Sequence, residues 1–344
     1  METKVIKVDN SVDNDDNYQQ VVDTLKSGEV VAFPTETVYG LGAIATNVDA
    51  VAKIYEAKGR PSDNPLIIHI GTTGEVKTYA QSISVDAEEL MEAFWPGPLT
   101  LVFEQRPDSE IAENAVPGMK SIGLRMPNHP VALKILQLLK QPVAAPSANR
   151  SGKPSPTAAS HVYKDLKGHI PLIIDGGQTG VGLESTVLDM TTTPPTILRP
   201  GGITKEMLQS VIGPVAEVNA HVEVTETPRA PGMKYAHYAP EAPLYIVQAE
   251  AKIIEHAIKK IHAGGKKVAV IGPKEYEQSI SDWYFSIGCA QQIDELAMNL
   301  YDALRKCDNT DADLILAVET TTDAVGAAFM NRLLKAAENR YFPV

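Results

Sequence analysis

The chain has 344 residues, with 31 Lys and Arg against 43 Asp and Glu and a formal net charge of −12. That length fits two domains better than one core. Neither the first 210 residues (18 basic, 25 acidic) nor the rest (13 basic, 18 acidic) carries the basic surplus of a protein that grips a nucleic-acid backbone. The two cysteines, Cys289 and Cys307, stand outside any CxxC and read as reduced thiols, not as a disulfide framework. The N-terminal stretch shows no apolar signal core and no run approaches ~18 apolar residues, so a cytoplasmic, unprocessed protein without a membrane span is expected.

In chain order, "QQVVDTLKSG" reads as a helix ending at Gly28, followed by the strand "EVVAFPT". "DAVAKIYEAKG" is a helix ending at Gly59, and "PLIIHI" a short buried strand. "VDAEELMEAFW" is a helix stopped by "PGP", after which "LTLVFE" resumes as a strand. "SIGLRMP" and "PVAAPSAN" flank the helix "HPVALKILQLLK". "PLIIDGG" and "STVLDM" continue the sheet, and "TILRPGGIT" leaves it. Pro and Gly then gather in "VTETPRAPGMKYAHYAP", which is long for a loop in a compact domain and reads as a linker or lid. Beyond it, strands "PLYIVQ", "KKVAVIG" and "DLILAVE" alternate with helices, as in a small parallel Rossmann-like domain. The whole is α/β, its first sheet expected to be largely parallel.

Several signatures are missing: the P-loop, HExxH, GxSxG and any carboxylate-rich metal loop. "GLGAIA" formally matches a dinucleotide fingerprint, but it follows the polar break "PTETVY" and does not emerge from a strand. What stands out is polar residues at the ends of apolar strands: Thr35 and Thr37, Ser121 and Arg125, Ser147 and Asn149, Ser185 and Thr186, and Arg199. In a parallel sheet these converge on one edge, where ligand crevices form. "KGRPSDNPLIIHI" adds Lys58, Arg60, Asn64 and His69. Pro61 and Pro65 stiffen it by fixing φ, so that its cations are held in place and Arg60 suits a phosphate. Each feature alone has an ordinary explanation, since Ser and Thr cap and turn, and Lys58 and Arg60 complement a helix dipole.

"PTETVYGLG", "KGRPSDNPLIIHI", "FWPGPLTLV", "APSANRSGKPSPT", "ESTVLD" and "LRPGGIT" occur in one order. Together they resemble the threonylcarbamoyl-AMP synthase family, with its YrdC-like catalytic domain. "PGMKYAHYAP" before a Rossmann-like domain resembles the two-domain form. The resemblance implies a twisted YrdC-like α/β domain (1–210), a linker or lid (211–242) and a Rossmann-like domain (243–344). It implies a nucleotidyltransferase that converts L-threonine, bicarbonate and ATP to threonylcarbamoyl-adenylate for tRNA modification beside the anticodon, with Mg²⁺ entering with ATP. By that analogy Arg60, Asn64, Ser121, Ser147, Ser155 and Arg199 hold ATP, and Lys58 with Arg60 supplies catalytic positive charge. Thr35 or Thr37, His69, Arg125, the backbone at Ala145, and Ser185 hold threonine, and Tyr238 folds over the nucleotide. No protein metal ligand is implied. Downstream tRNA threonylcarbamoyl-transfer proteins are the expected partners, without stable tRNA binding or a membrane. Two other readings remain open: an RNA-binding module with a basic concave face, and a carbamoyl-adenylate enzyme for another substrate.

Overall fold

The computed structural model describes residues 1–8, 15–218 and 238–343. They divide into two units. One comprises Met1–Ser151, Pro156–Gly180 and Glu184–Lys234; the other comprises Gly152–Ser155, Val181–Leu183 and Tyr235–Val344. Most of the expected interdomain segment 211–242 falls on residues 219–237, outside the described residues. Among the described residues no helix is long and apolar enough to cross a membrane.

The first unit begins with β1 (Lys4–Lys7), α1 (Asp15–Lys26), β2 (Val31–Pro34), β3 (Tyr39–Ile44), α2 (Val48–Lys58) and β4 (Ile67–His69). It continues through α3 (Val76–Tyr79), α4 (Val85–Phe94), β5 (Leu99–Glu104), β6 (Ser121–Arg125), α5 (Pro130–Leu139) and β7 (Val143–Ala144). It closes with α6 (Ala159–Leu166), β8 (Leu172–Asp175), β9 (Thr186–Asp189), β10 (Thr196–Arg199), α7 (Lys205–Ile212) and β11 (Ala216–Glu217). The helices start and stop where local chemistry directs. Asn47 accepts from Ala50 N at 3.0 Å to cap α2, and Gly59 ends it at φ 60°. Ser84 caps α4 in the same way, and Pro130 opens α5.

The strands form one sheet in the order β1-β8-β2-β3-β7-β4-β6-β5-β9-β10-β11. It is mixed, not largely parallel: β2/β3, β3/β7, β4/β7, β5/β6 and β9/β10 pair antiparallel. The β2–β3 and β9–β10 turns reverse the chain without a helix, so they leave no crossover to cover the sheet there. "GLGAIA" lies on β3. Its glycine at position 42 has a packing reason, because a Cβ there would stand 2.5 Å from the Phe33 ring and 2.7 Å from Val143 Cγ1.

Side-chain alternation sorts the sheet into two faces. The rear face carries Leu41, Ile68, Leu124, Leu101 and Leu188, buried with Ile54 of α2, Leu90 of α4, Val162 of α6 and Leu208 of α7. On the front, α1 and α5 cover only one half, packing Val21, Leu25, Ile135 and Leu139 over Val31, Phe33 and Val143. The other half of the front face carries a separate strip of Ile67, Val102 and Val187, with Leu198 against it. No helix is part of that cluster.

The second unit contains β12 (Leu244–Val247), α8 (Ala251–Ala263), β13 (Val268–Gly272), β14 (Trp283–Ser286), α9 (Ile293–Cys307), β15 (Leu314–Val318) and α10 (Val325–Ala336). Its sheet, in the order β12-β15-β13-β14, is parallel throughout. Val181–Leu183 lies directly on α9: a Cβ at Gly182 would fall 2.4 Å from Met298 Cα.

Candidate functional site

Register brings the strand-end polar residues together on the half of the front face that α1 and α5 do not reach, where most of them are buried. His69 lies beside Arg125 across β4/β6, and Gly123 faces Ile67 on one side and Val102 on the other. Thr100 pairs with Val187, and Val187 with Arg199. Ser121 and Arg125 stand at opposite ends of β6, so a shared face, not a shared edge, unites them. Ser121 and Gly123 line a cleft with Pro65, Ile67, Thr100 and Val187.

One end of this face is built around Arg125, which is 4% exposed. Its Nη2 donates to Thr37 Oγ1 at 3.0 Å and its Nε to Gly97 O at 3.3 Å. Nη2 also stands 2.7 Å from Glu36 Oε1. Thr35 and Thr37 share a hydroxyl contact of 2.8 Å, and Thr35 closes the hairpin by donating to Val38 O at 2.6 Å. Thr37 is therefore the one that meets Arg125, while Thr35 shapes the turn. His69 is buried beside them, and its Nδ1 has no hydrogen-bond partner among the described residues. Burial first, then the Arg125 charge, lowers its pKa to about 3. The imidazole is neutral at pH 7, a polar group that can meet a ligand hydroxyl without adding charge. Ala145 is also buried; its N–H donates to Ile67 O at 3.0 Å, so the group it can offer is its carbonyl.

Across the sheet, Arg199 on β10, three strands from β6, forms a second cluster with Ser185. Arg199 Nη2 donates to Ser185 O at 2.9 Å and to Ser185 Oγ at 3.1 Å, and Ser185 Oγ meets Thr100 Oγ1 at 2.8 Å. All three residues are buried. The Ser185 hydroxyl thus links Arg199 to Thr100 of β5.

The stiff segment after α2 forms the rim. Arg60 is half-buried and folds back, donating to Pro65 O at 3.2 Å, and Pro65 lines the cleft with Ser121. Asn64 is buried, and its Oδ1 has no hydrogen-bond partner among the described residues. Such an unfilled acceptor is uncommon in a folded chain. Lys58 is buried too, and its ammonium donates to the carbonyls of Ser147 and Asn149. It ties the Ser147 loop to the end of α2, so its geometry is that of a strut that also brings positive charge. Ser147 is half-buried in that loop and bridges Gly40 of β3.

Two family profiles match, one described as "Telomere recombination" over residues 23–201 and one as "Threonylcarbamoyl-AMP synthase, C-terminal domain" over residues 203–338. A threonylcarbamoyl-AMP synthase of Bacillus subtilis is 48% identical over 328 residues, which is 95% of this chain and 94% of that one. This chain belongs to the threonylcarbamoyl-AMP synthase family. A synthase of Pyrococcus abyssi is 47% identical over 93% of this chain and 94% of its own. The solved structure of P. abyssi Sua5 complexed with L-threonine superposes with a TM-score of 0.92 at 43% identity, covering 100% of both chains.

Within this synthase-family fold, Thr35, Thr37, Lys58, Arg60, Asn64, His69, Ser121, Arg125, Ala145, Ser147, Ser185 and Arg199 all belong to the first unit. Ser155 and Tyr238 are grouped with the second. Ser155 is buried there, and Tyr238, at φ 69°, stacks on Tyr301 of α9 with ring centroids 5.2 Å apart. Sequence reasoning missed Glu36 and Thr100. Glu36 had a signal, an acid between two threonines at the close of an apolar strand. Thr100 had only its alternation within "LTLVF", which any half-buried strand shows.

The depressed His69 pKa has a consequence for stability. Between pH 6.5 and about 3 the unfolded chain binds a proton at this imidazole that the folded chain refuses. Stability is therefore intact above pH 6.5 and falls on acidification, by up to about 1.4 kcal/mol per pH unit from this group. His69→Gln should flatten the urea-unfolding free energy between pH 6.5 and 4.5. An unchanged slope would place the effect elsewhere.

Proposed function

We propose that the chain condenses L-threonine, bicarbonate and ATP to L-threonylcarbamoyl-adenylate, pyrophosphate and water, a nucleotidyl transfer that supplies tRNA threonylcarbamoylation in the cytoplasm. The observation that carries this reading is the half of the front face that α1 and α5 do not reach. There Arg125 and Arg199, both buried, stand about 14 Å apart by strand spacing, with Thr100 and Val187 on the two strands between them. Arg125 suits an α-carboxylate, whose two oxygens match a guanidinium fork. Thr37 and His69 frame the rest of a small polar amino acid. Arg199, with Arg60 and Asn64 at the rim and the hydroxyls of Ser121 and Ser147, suits a nucleotide laid over the strip. The likeness to a structure complexed with L-threonine supports threonine as a substrate.

Carboxylation of the amine by bicarbonate gives a carbamate, whose oxygen attacks the α-phosphorus and expels pyrophosphate. Two anions must approach, so catalysis is positioning plus fixed positive charge, without an enzyme nucleophile. Among the described residues no group of three or more His, Cys, Asp or Glu could hold a metal ion. Mg²⁺ would enter with the nucleotide, held by phosphate oxygens and water, and would offset phosphate charge.

Incubating the protein with ATP, threonine and bicarbonate should give the adenylate by mass spectrometry, and omitting any one substrate should abolish it. Product with another amino acid at higher rate would move the assignment within the carbamoyl-adenylate class. No product, with tight and steeply salt-dependent tRNA binding, would replace it by an RNA-binding function.

A further inference from the structure

Glu36 stands at the tip of the β2–β3 hairpin, with its side chain only 11% exposed. Its Oε1 lies 2.7 Å from Arg125 Nη2, yet both carboxylate oxygens are shielded from solvent and neither makes an aligned hydrogen bond among the described residues. Nη2 is spent on Thr37 Oγ1 at 3.0 Å, and Nε on Gly97 O at 3.3 Å. A buried carboxylate with its lone pairs unfilled is costly, and such groups persist where a ligand completes them.

On the reading above, an α-carboxylate binds Arg125. The ammonium group is attached to the neighbouring carbon, so it must lie within a few ångströms of that guanidinium. The anion that meets it there is Glu36. We propose that Glu36 is the counter-charge for the substrate ammonium and takes its proton when the amine is carboxylated. The proton passes from nitrogen to the carboxylate, leaving R–NH₂ and Glu36–COOH. The freed lone pair on nitrogen then attacks the bicarbonate carbon, giving R–NH–COO⁻ and water. Arg125 and Glu36 thus read the two charges of one zwitterion, and the bare ion pair holds both groups ready.

The titratable neighbours of Glu36 keep the test clean. His129, at the start of α5, interacts with the Glu36 charge, and burial holds its pKa below the ordinary value. His69 stands beside Arg125 with its pKa at about 3. Both imidazoles are neutral above pH 7, so a slope there belongs to the amine.

The experiment compares Glu36→Gln and Glu36→Asp with the unsubstituted enzyme from pH 7 to 9.5. It measures kcat and KM for threonine, thermal unfolding, and competition by 3-hydroxybutanoate, which lacks the amine. Glu36→Gln should lower kcat by about 100-fold at pH 7, the scale of a lost proton acceptor. The deficit should shrink by close to tenfold per pH unit as the free amine deprotonates, and the preference for threonine over the amine-free acid should fall. Glu36→Asp, which keeps a charge beside Arg125 and so guards against loss of folding, should recover part of both. A loss of the same factor at every pH with unchanged discrimination would reduce Glu36 to a support for Arg125 and overturn the proposal, as would an unaltered kcat. If the unsubstituted protein makes no adenylate, the functional reading fails; if it does and Glu36→Gln matches it, this inference alone fails.

Discussion

Arg125→Ala should cut threonine-dependent pyrophosphate release by about two to three orders of magnitude in kcat/KM. Removing one partner of a desolvated, hydrogen-bonded charge pair costs roughly 2–5 kcal/mol of binding, and each 1.4 kcal/mol is about tenfold. The guanidinium touches Thr37, Gly97 and Glu36 at once, so the hairpin loses its anchor as well. The same change strands the Glu36 carboxylate, and breaking a buried pair this way lowers stability by about 3–5 kcal/mol. The two effects are separable. Adding Glu36→Gln to Arg125→Ala should restore much of the lost thermal stability, by removing the orphaned charge, while leaving turnover abolished. Pyrophosphate release at saturating ATP and thermal unfolding of the three variants decide this. Near-native kcat/KM in Arg125→Ala would remove the threonine assignment from this end of the sheet.

The second large effect is expected at Gly201, in the turn after β10. A Cβ there would stand 2.2 Å from Thr186 N, 2.5 Å from Ser185 C and 2.6 Å from Glu184 O. These are backbone atoms at the start of β9, so no flexible side-chain tip can swing away. Gly201→Ala must push the Ser185 peptide off Arg199, which donates to its carbonyl and hydroxyl. Overpacking of this kind costs roughly 3 kcal/mol, at the upper end of its usual range, and loss of the Ser185 hold on Arg199 should lower kcat/KM for ATP by at least about tenfold. Gly213→Ala serves as the control, since nothing lies within 4 Å of a Cβ there and only its φ of +77° opposes the change. A Gly201→Ala protein with unaltered turnover would show that the β9–β10 contact does not position the nucleotide end.

Much of the fold was legible in the residues. The helices over 48–58, 85–94 and 130–139 carry their own caps and apolar stripes, and the short apolar runs at 67–69, 99–104 and 186–189 are strands as read. β3 was obscured because its glycines looked like a phosphate loop. Gly42 is small so that the Phe33 ring can lie over the strand, a contact between neighbouring strands that "GLGAIA" does not record. Lys58 shows the same limit from the other side. The sequence presents a cation on a stiff segment, but only the folded chain shows its ammonium fastened to carbonyls 89 and 91 residues away.

The chain order of residues by itself determined which segments become helices and strands, because capping, turn chemistry and hydrophobic period act within a few residues. It also marked Arg125, Ser185, Arg199 and the "KGRPSDN" segment as polar breaks in apolar strands. The tertiary structure decided that these residues share a face and not an edge, that α1 and α5 stop halfway across it, and that Glu36 is the acid beside Arg125. Strand pairing and register are set by contacts far apart in sequence, and in an alternating strand one step of register sends every side chain to the opposite face.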